Sequence, residues 1–261
     1  MTLNNRTGVL ICGHGSREPA AAQAFLALVQ EIGRLTPGLP VQPGFLEFNT
    51  PDIPAGLNIL RDAGRTDILA IPGTLFAASH TREDIPLILR RFASRFPEMT
   101  IRYGRELGAD ERMIEAACAR VREALGVSRL LPGENTALLV AARGASDPEI
   151  LSRMQFVSAG IAEKLGFSSF ECAYSGLAHP LFEPAIEQMA ARNPAAIVVM
   201  PYFLSAGKLV KQVYRQMDAA ANRYPSTQFV KASCLGNHPL VITCFAERIS
   251  ETARTGIRIH A

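Results

Sequence analysis

The chain writes one pattern twice. Apolar runs of strand length alternate with helix-length amphipathic stretches, and the second half repeats the first at an almost constant offset. The offset is 129 at His14/Arg143 and at Pro51/Pro180, and 128 at His80/Lys208. The local strings agree: Gly13-His-Gly-Ser16 against Ala142-Arg-Gly-Ala145, and Thr74-Leu-Phe-Ala-Ala-Ser-His80 against Tyr202-Phe-Leu-Ser-Ala-Gly-Lys208. A period this long is not that of a solenoid. It predicts two similar domains, 1–130 and 131–261, joined across 126–135 where Pro132-Gly133 breaks the pattern.

Strands are expected over 8–12, 41–45, 66–72 and 100–103, with helices over 20–35, 53–63, 82–96 and 111–125. The second half predicts strands over 136–141, 169–172, 196–200 and 229–231, with helices over 149–165, 182–192, 209–222 and 240–255. Short, continuously apolar strands alternating with helices belong to parallel sheets covered on both faces. Right-handed crossovers then place the helices. The expected fold is α/β: two similar domains, each a four-stranded, mostly parallel sheet flanked by helices, with a cleft between them.

Composition removes several classes. A net charge of +3 with no basic run, and few aromatics, argues against nucleic acid. No apolar run reaches the about 18 residues that a membrane helix needs. The start, Met1-Thr-Leu-Asn-Asn-Arg6, has no apolar signal core, so a cytoplasmic location is expected. Five scattered cysteines without a Cys-x-x-Cys pair argue against a zinc ribbon or iron–sulfur cluster. Cys12 and Cys172 lie in apolar runs and read as small core residues.

The chemistry gathers at strand ends, where open parallel sheets bind ligands. The first run delivers His14 into Gly13-His-Gly-Ser-Arg17, the second ends near Glu47, and the third leads through Gly73 to His80. Neutral imidazoles with a carboxylate suit a borderline divalent metal and leave coordination positions open. Imidazole also accepts a proton near neutral pH. Each residue has a plainer reading. His14 sits in a tight turn before a helix, and His80 in a capping segment with Ser79 or Thr81 and the acidic Glu83 and Asp84. Glu47 reads equally as a solvated loop carboxylate. His179 and His238 precede prolines in helix-entry turns, and His260 lies in the tail. In the second half Arg143 and Lys208 replace the two histidines, offering cations where the first half offers metal ligands.

These motifs, with Phe45-Leu-Glu47 and Pro72-Gly-Thr-Leu-Phe-Ala-Ala-Ser-His80 followed by Asp84-Ile-Pro86, resemble the class II tetrapyrrole chelatases. The similarity is greatest to the two-repeat sirohydrochlorin cobaltochelatases of the CbiX family. The resemblance implies insertion of a divalent metal into sirohydrochlorin, Co2+ favoured over Fe2+, for cobalamin or sirohaem biosynthesis. It implies His14 and His80 as metal ligands, with His14 taking a proton, and puts Glu47 beside the macrocycle; from the residues alone, Glu47 joins the two histidines as a candidate catalytic and metal-binding residue, either ligand or base. It places Leu75, Phe76, Ala77, Ala78 and Ser79 at the substrate; the chemistry of a substrate rich in carboxylates adds Arg17, Arg143 and Lys208 as candidates to meet them, and Asn49 is a further candidate contact where members of the family carry basic residues. No tightly bound cofactor is implied, since the metal is itself a substrate. The implied partners are sirohydrochlorin and the metal ion, without nucleic acid or membrane; contact with neighbouring pathway enzymes is compatible. The second half lacks the histidines, so no metal site is carried over to it. A non-catalytic metal or tetrapyrrole carrier is the alternative. A histidine phosphatase would need arginine where Gly13 stands, and a two-lobed solute-binding protein an export signal.

Overall fold

The computed structural model describes residues 5–76, 79–128, 133 and 135–260, without the side chains of 79–81. In chain order the first elements are β1 (Thr7–Gly13), α1 (Pro19–Leu35), β2 (Val41–Phe45), α2 (Ile53–Asp62), β3 (Asp67–Pro72), α3 (Ser79–Arg95), β4 (Thr100–Tyr103) and α4 (Glu111–Ser128). They are followed by β5 (Thr136–Ala142), α5 (Pro148–Leu165), β6 (Ser169–Tyr174), α6 (Phe182–Ala190), β7 (Ala196–Pro201), α7 (Lys208–Arg223), β8 (Gln228–Lys231), α8 (Pro239–Thr255) and β9 (Ile257–Ile259).

The strands form two sheets, ordered β2-β1-β3-β4-β9 and β6-β5-β7-β8. All pairings are parallel except β4 with β9. The expected α/β class, two mostly parallel sheets flanked by helices, holds, with one correction: the first sheet has a fifth strand. Ile257-Arg-Ile259 is too short to carry a period, and only its antiparallel pairing with Tyr103, Arg102 and Ile101 makes it a strand. Every residue of β1 and of β5 is buried, as central parallel strands require.

Helix ends follow local chemistry. Proline opens α1 at its first turn, where a missing N–H costs nothing. Asp52 caps α2 by accepting from the Ala55 N–H at 2.8 Å. α3 begins at Ser79 rather than at the expected residue 82, which puts His80 in the first helical turn. α4 runs on to Ser128, through Gly126 and into the expected linker.

Two compact units emerge: Met1–Gly108 with Pro239–Ala261, and Ala109–His238. α8 therefore packs in the first unit, against α1, β3 and β4, and α4 in the second, against α5, β7 and β8. Periodicity marks where the pattern repeats, near 130; it does not say which sheet a final helix covers. The core of the first unit includes Leu10, Ile53, Leu57, Ile85 and Ile101, and that of the second Leu139, Ile186, Val199 and Val213.

Arg248 shows how α8 is fixed. Its side chain is 2% exposed. Nε donates to the Glu106 carbonyl at 3.0 Å and Nη2 to the Leu107 carbonyl at 2.9 Å, while Nη1 pairs with Glu251 at 3.2 Å. The guanidinium thus satisfies two carbonyls in the segment after β4. Arg248→Ala is expected to lower stability by about 3 kcal/mol, because it leaves those carbonyls buried without donors. Urea unfolding measures it; a change under about 0.5 kcal/mol, as at ordinary surface positions, would contradict this role.

Candidate functional site

The order β2-β1-β3 reverses direction at β1, so β1 and β3 lie on either side of a topological switch point, where such sheets bind ligands. His14 follows β1 immediately, and Gly73, which follows β3, donates its N–H to the Cys12 carbonyl at 2.7 Å. The floor under these strand ends is Phe25 of α1. A Cβ at Gly13 or at Gly73 would come within 2.7 Å of its ring, so both glycines make room for it. Phe25 also packs on Phe45 at 5.1 Å between centroids.

The loops after β1 and β2 are zipped together. Leu46 N–H donates to the Gly13 carbonyl at 2.8 Å, and Glu47 N–H to the His14 carbonyl at 3.1 Å. Ser16 N–H donates to Asn49 Oδ1 at 2.7 Å. Gly15, at φ +92°, lies so close that a Cβ there would sit 1.8 Å from the Glu47 carbonyl oxygen. This backbone clasp brings two of the expected residues side by side: His14 Nδ1 is 3.2 Å from Glu47 Oε1. His14 is half-buried and the Glu47 carboxylate is 44% exposed, open to water. A carboxylate on Nδ1 orients an imidazole and directs the Nε2 lone pair outward, the arrangement used to present histidine to a metal or a proton.

Arg17 is exposed and lies over the Phe48 ring at 4.9 Å. Asn49 is half-buried, its side-chain oxygen taken by Ser16. Leu75 and Phe76 are half-buried, and the Leu75 carbonyl accepts from Gly108 N–H at 2.7 Å. Ala77 and Ala78 lie outside the described residues, as do the side chains of Ser79 and His80. Among the described residues no three His, Cys, Asp or Glu side chains gather as a metal site. Arg143 and Lys208, both exposed, follow β5 and open α7 in the second unit. Cys12 precedes Gly13 but is fully buried, and burial pushes its thiol far up, so it serves the core. Cys172 behaves in the same way.

The second unit repeats the clasp without its chemistry. Gly144, at φ +84°, approaches the Gly176 carbonyl as Gly15 approaches that of Glu47. The X-Pro bonds Thr50–Pro51 and His179–Pro180 are cis at matching places. Position 47 has Gly176 as its counterpart, so both members of the imidazole–carboxylate pair are replaced there. Sequence reasoning missed Phe25 and a cavity of about 420 Å³ at the ends of β3 and β4, lined by Pro72, Arg82, Arg90, Tyr103 and Arg105 among others. Phe25 reads as one more apolar position of an amphipathic helix; only the facing glycines hint at it.

An open sheet that presents an imidazole–carboxylate pair at its switch point, in one of two repeated units, defines a duplicated α/β protein in which, among the described residues, the first unit carries that pair and the second does not. The CbiX family model matches residues 8–124 and again 137–252, and the chain belongs to the CbiX family. It is 29% identical over 253 residues to a sirohydrochlorin cobaltochelatase of Priestia megaterium, covering 97% of this chain and 82% of that protein. It is 28% identical over 249 residues to a sirohydrochlorin ferrochelatase of Bacillus subtilis, covering 95% and 92%. Among solved structures, SirB from Bacillus subtilis with Fe3+ matches with a TM-score of 0.84 at 26% identity, covering 95% of this chain and 96% of that one.

Proposed function

We propose that this protein is a sirohydrochlorin chelatase that inserts a divalent metal ion, Co2+ in preference to Fe2+, into the free-base macrocycle. The observation that carries this reading is the His14–Glu47 pair, clasped at the switch point of the first unit in a chain of the CbiX family. The relatives named above, which act on sirohydrochlorin, supply the substrate.

Insertion exchanges two pyrrole protons and the water around the ion for four ring nitrogens. The ion is therefore a substrate, and no tightly held cofactor enters the reaction. A site that gives up its metal needs few ligands and an open side. In this reading His14, with His80 from the first turn of α3, holds the ion until the ring nitrogens take it; the Nε2 lone pair so released then accepts one pyrrole proton, and the other leaves to water. Glu47 orients His14, offsets the charge of the protonated ring, and can take the Nδ1 proton and release it to water, as its exposure permits. Arg17 meets a carboxylate of the macrocycle, with Asn49 and the segment 75–79 alongside; Arg143 and Lys208 are assigned to further carboxylates. We place the protein in the cytoplasm; among the described residues no helix is long and apolar enough to cross a membrane.

Anaerobic incubation with sirohydrochlorin and Co2+ tests the reading. Absorbance is expected to shift to that of the metallated ring, with many turnovers per protein, faster than without protein. Bound pigment and bound metal without turnover would show a carrier instead.

A further inference from the structure

Phe48 is the outlier beside the pair. Its φ is +65°, a left-handed conformation that a bulky aromatic side chain adopts at an energetic cost and that glycine or asparagine would take more easily. Strain of this kind is ordinarily held where burial repays it, yet Phe48 is 51% exposed. The conformation directly follows Glu47, so it sets how the carboxylate and the ring leave the loop. The clasp holds it from both sides: Asn49 N–H donates to the Glu47 carbonyl at 2.8 Å, and Asn49 Oδ1 accepts from Ser16. The Arg17 guanidinium lies 4.9 Å from the ring centroid, which pairs an apolar face with a cation.

The duplication supplies an independent observation. The counterpart of Phe48 is Leu177, also non-glycine, also left-handed at φ +63° and 72% exposed. His14 and Glu47 were both replaced in the second copy, yet the strained, exposed, apolar loop tip is present in each. A tip whose role was only to make the turn would be better served by the residues that turns favour.

We infer that Phe48, with Arg17 beside it, is a binding platform for the flat apolar face and an acidic side chain of the macrocycle, and that it sets substrate affinity without handling the metal. This rests on the sirohydrochlorin reading above. An aromatic ring offers a planar partner at little cost in side-chain freedom, and the guanidinium beside it meets a carboxylate. Phe48 touches substrate in this account but neither ion nor proton, so its loss should appear in binding and KM rather than in kcat.

Titration of sirohydrochlorin against the full-length protein without metal, followed by absorbance, provides the test, alongside Co2+ binding by calorimetry and the thermal midpoint. Phe48→Asn removes the ring and keeps a residue that tolerates the left-handed backbone. It is expected to weaken sirohydrochlorin binding about tenfold, with Co2+ affinity unchanged and a thermal midpoint no lower than wild type. Phe48→Tyr, which keeps the ring, should retain most of the affinity. Unchanged sirohydrochlorin binding in Phe48→Asn would overturn the inference alone. So would weaker binding accompanied by a lower thermal midpoint, since the ring would then be structural. A wild-type protein that does not bind sirohydrochlorin would overturn the functional reading, and this inference with it.

Discussion

Replacing His14 by alanine is expected to slow metal insertion by about 100-fold or more, the range that follows loss of a positioned acid–base group. His14 is the residue that β1 delivers to the switch point, the clasp with the β2 loop fixes its backbone, and Glu47 stands 3.2 Å from Nδ1. No other described side chain of the first unit combines an imidazole with that position. With the ring acting on ion and proton as proposed, the loss should fall on kcat, with the sirohydrochlorin KM moving little. His14→Gln, which keeps bulk and polarity but has no basic nitrogen to take a proton, should fail nearly as badly. Initial rates over the no-protein background measure the effect. Near wild-type turnover in both variants would remove His14 from the reaction.

The second large effect is structural. Gly15→Ala places a methyl group 1.8 Å from the Glu47 carbonyl oxygen, on a backbone already at φ +92°. The oxygen belongs to the main chain and cannot swing aside as a side chain would. Either the β1 and β2 loops part or Gly15 leaves its conformation. Both outcomes break the Glu47 N–H to His14 carbonyl bond and separate the pair. A loss of about 2–4 kcal/mol in stability is expected, together with insertion reduced well beyond the fraction of protein unfolded. Urea unfolding and the insertion assay on folded protein check both parts. A variant as stable and as active as wild type would show that the clasp is not needed.

Much of this was legible in the sequence because parallel strands buried on both faces write themselves as apolar runs. The run 41–45 became β2 and 100–103 became β4 without change of bounds. That His14 and Glu47 lie at strand ends of one sheet followed from a simple rule, that adjacent parallel strands bring their carboxyl ends together; that the carboxylate would face the imidazole did not, since Glu47 read equally as a solvated loop residue. Beyond Phe25 and the cavity, three more things were hidden, each for a physical reason. β9 is three residues long and exists through its pairing with β4, a contact across more than 150 residues that no local period records. The home of α8 depends on which sheet it covers, and Arg248, the buried cation that fixes it there, looks in sequence like any charged residue of an amphipathic helix. Phe48 was visible only as a loop residue, since backbone conformation is not written in residue type when the residue is the wrong type for it. Asn49 illustrates the limit from the other side. It lies in the expected loop, yet its side-chain oxygen is engaged by Ser16, a local bond that strand-end reasoning does not foresee.

The central claim is that the ion meets the ring at His14. Crystals of the protein soaked anaerobically in Co2+, with diffraction recorded at the cobalt edge, test it most directly. The expected result is an anomalous peak about 2.0–2.2 Å from Nε2 of His14, within reach of His80 and on the side of the imidazole away from Glu47. A cobalt peak elsewhere on the molecule, with none at His14, would contradict the account.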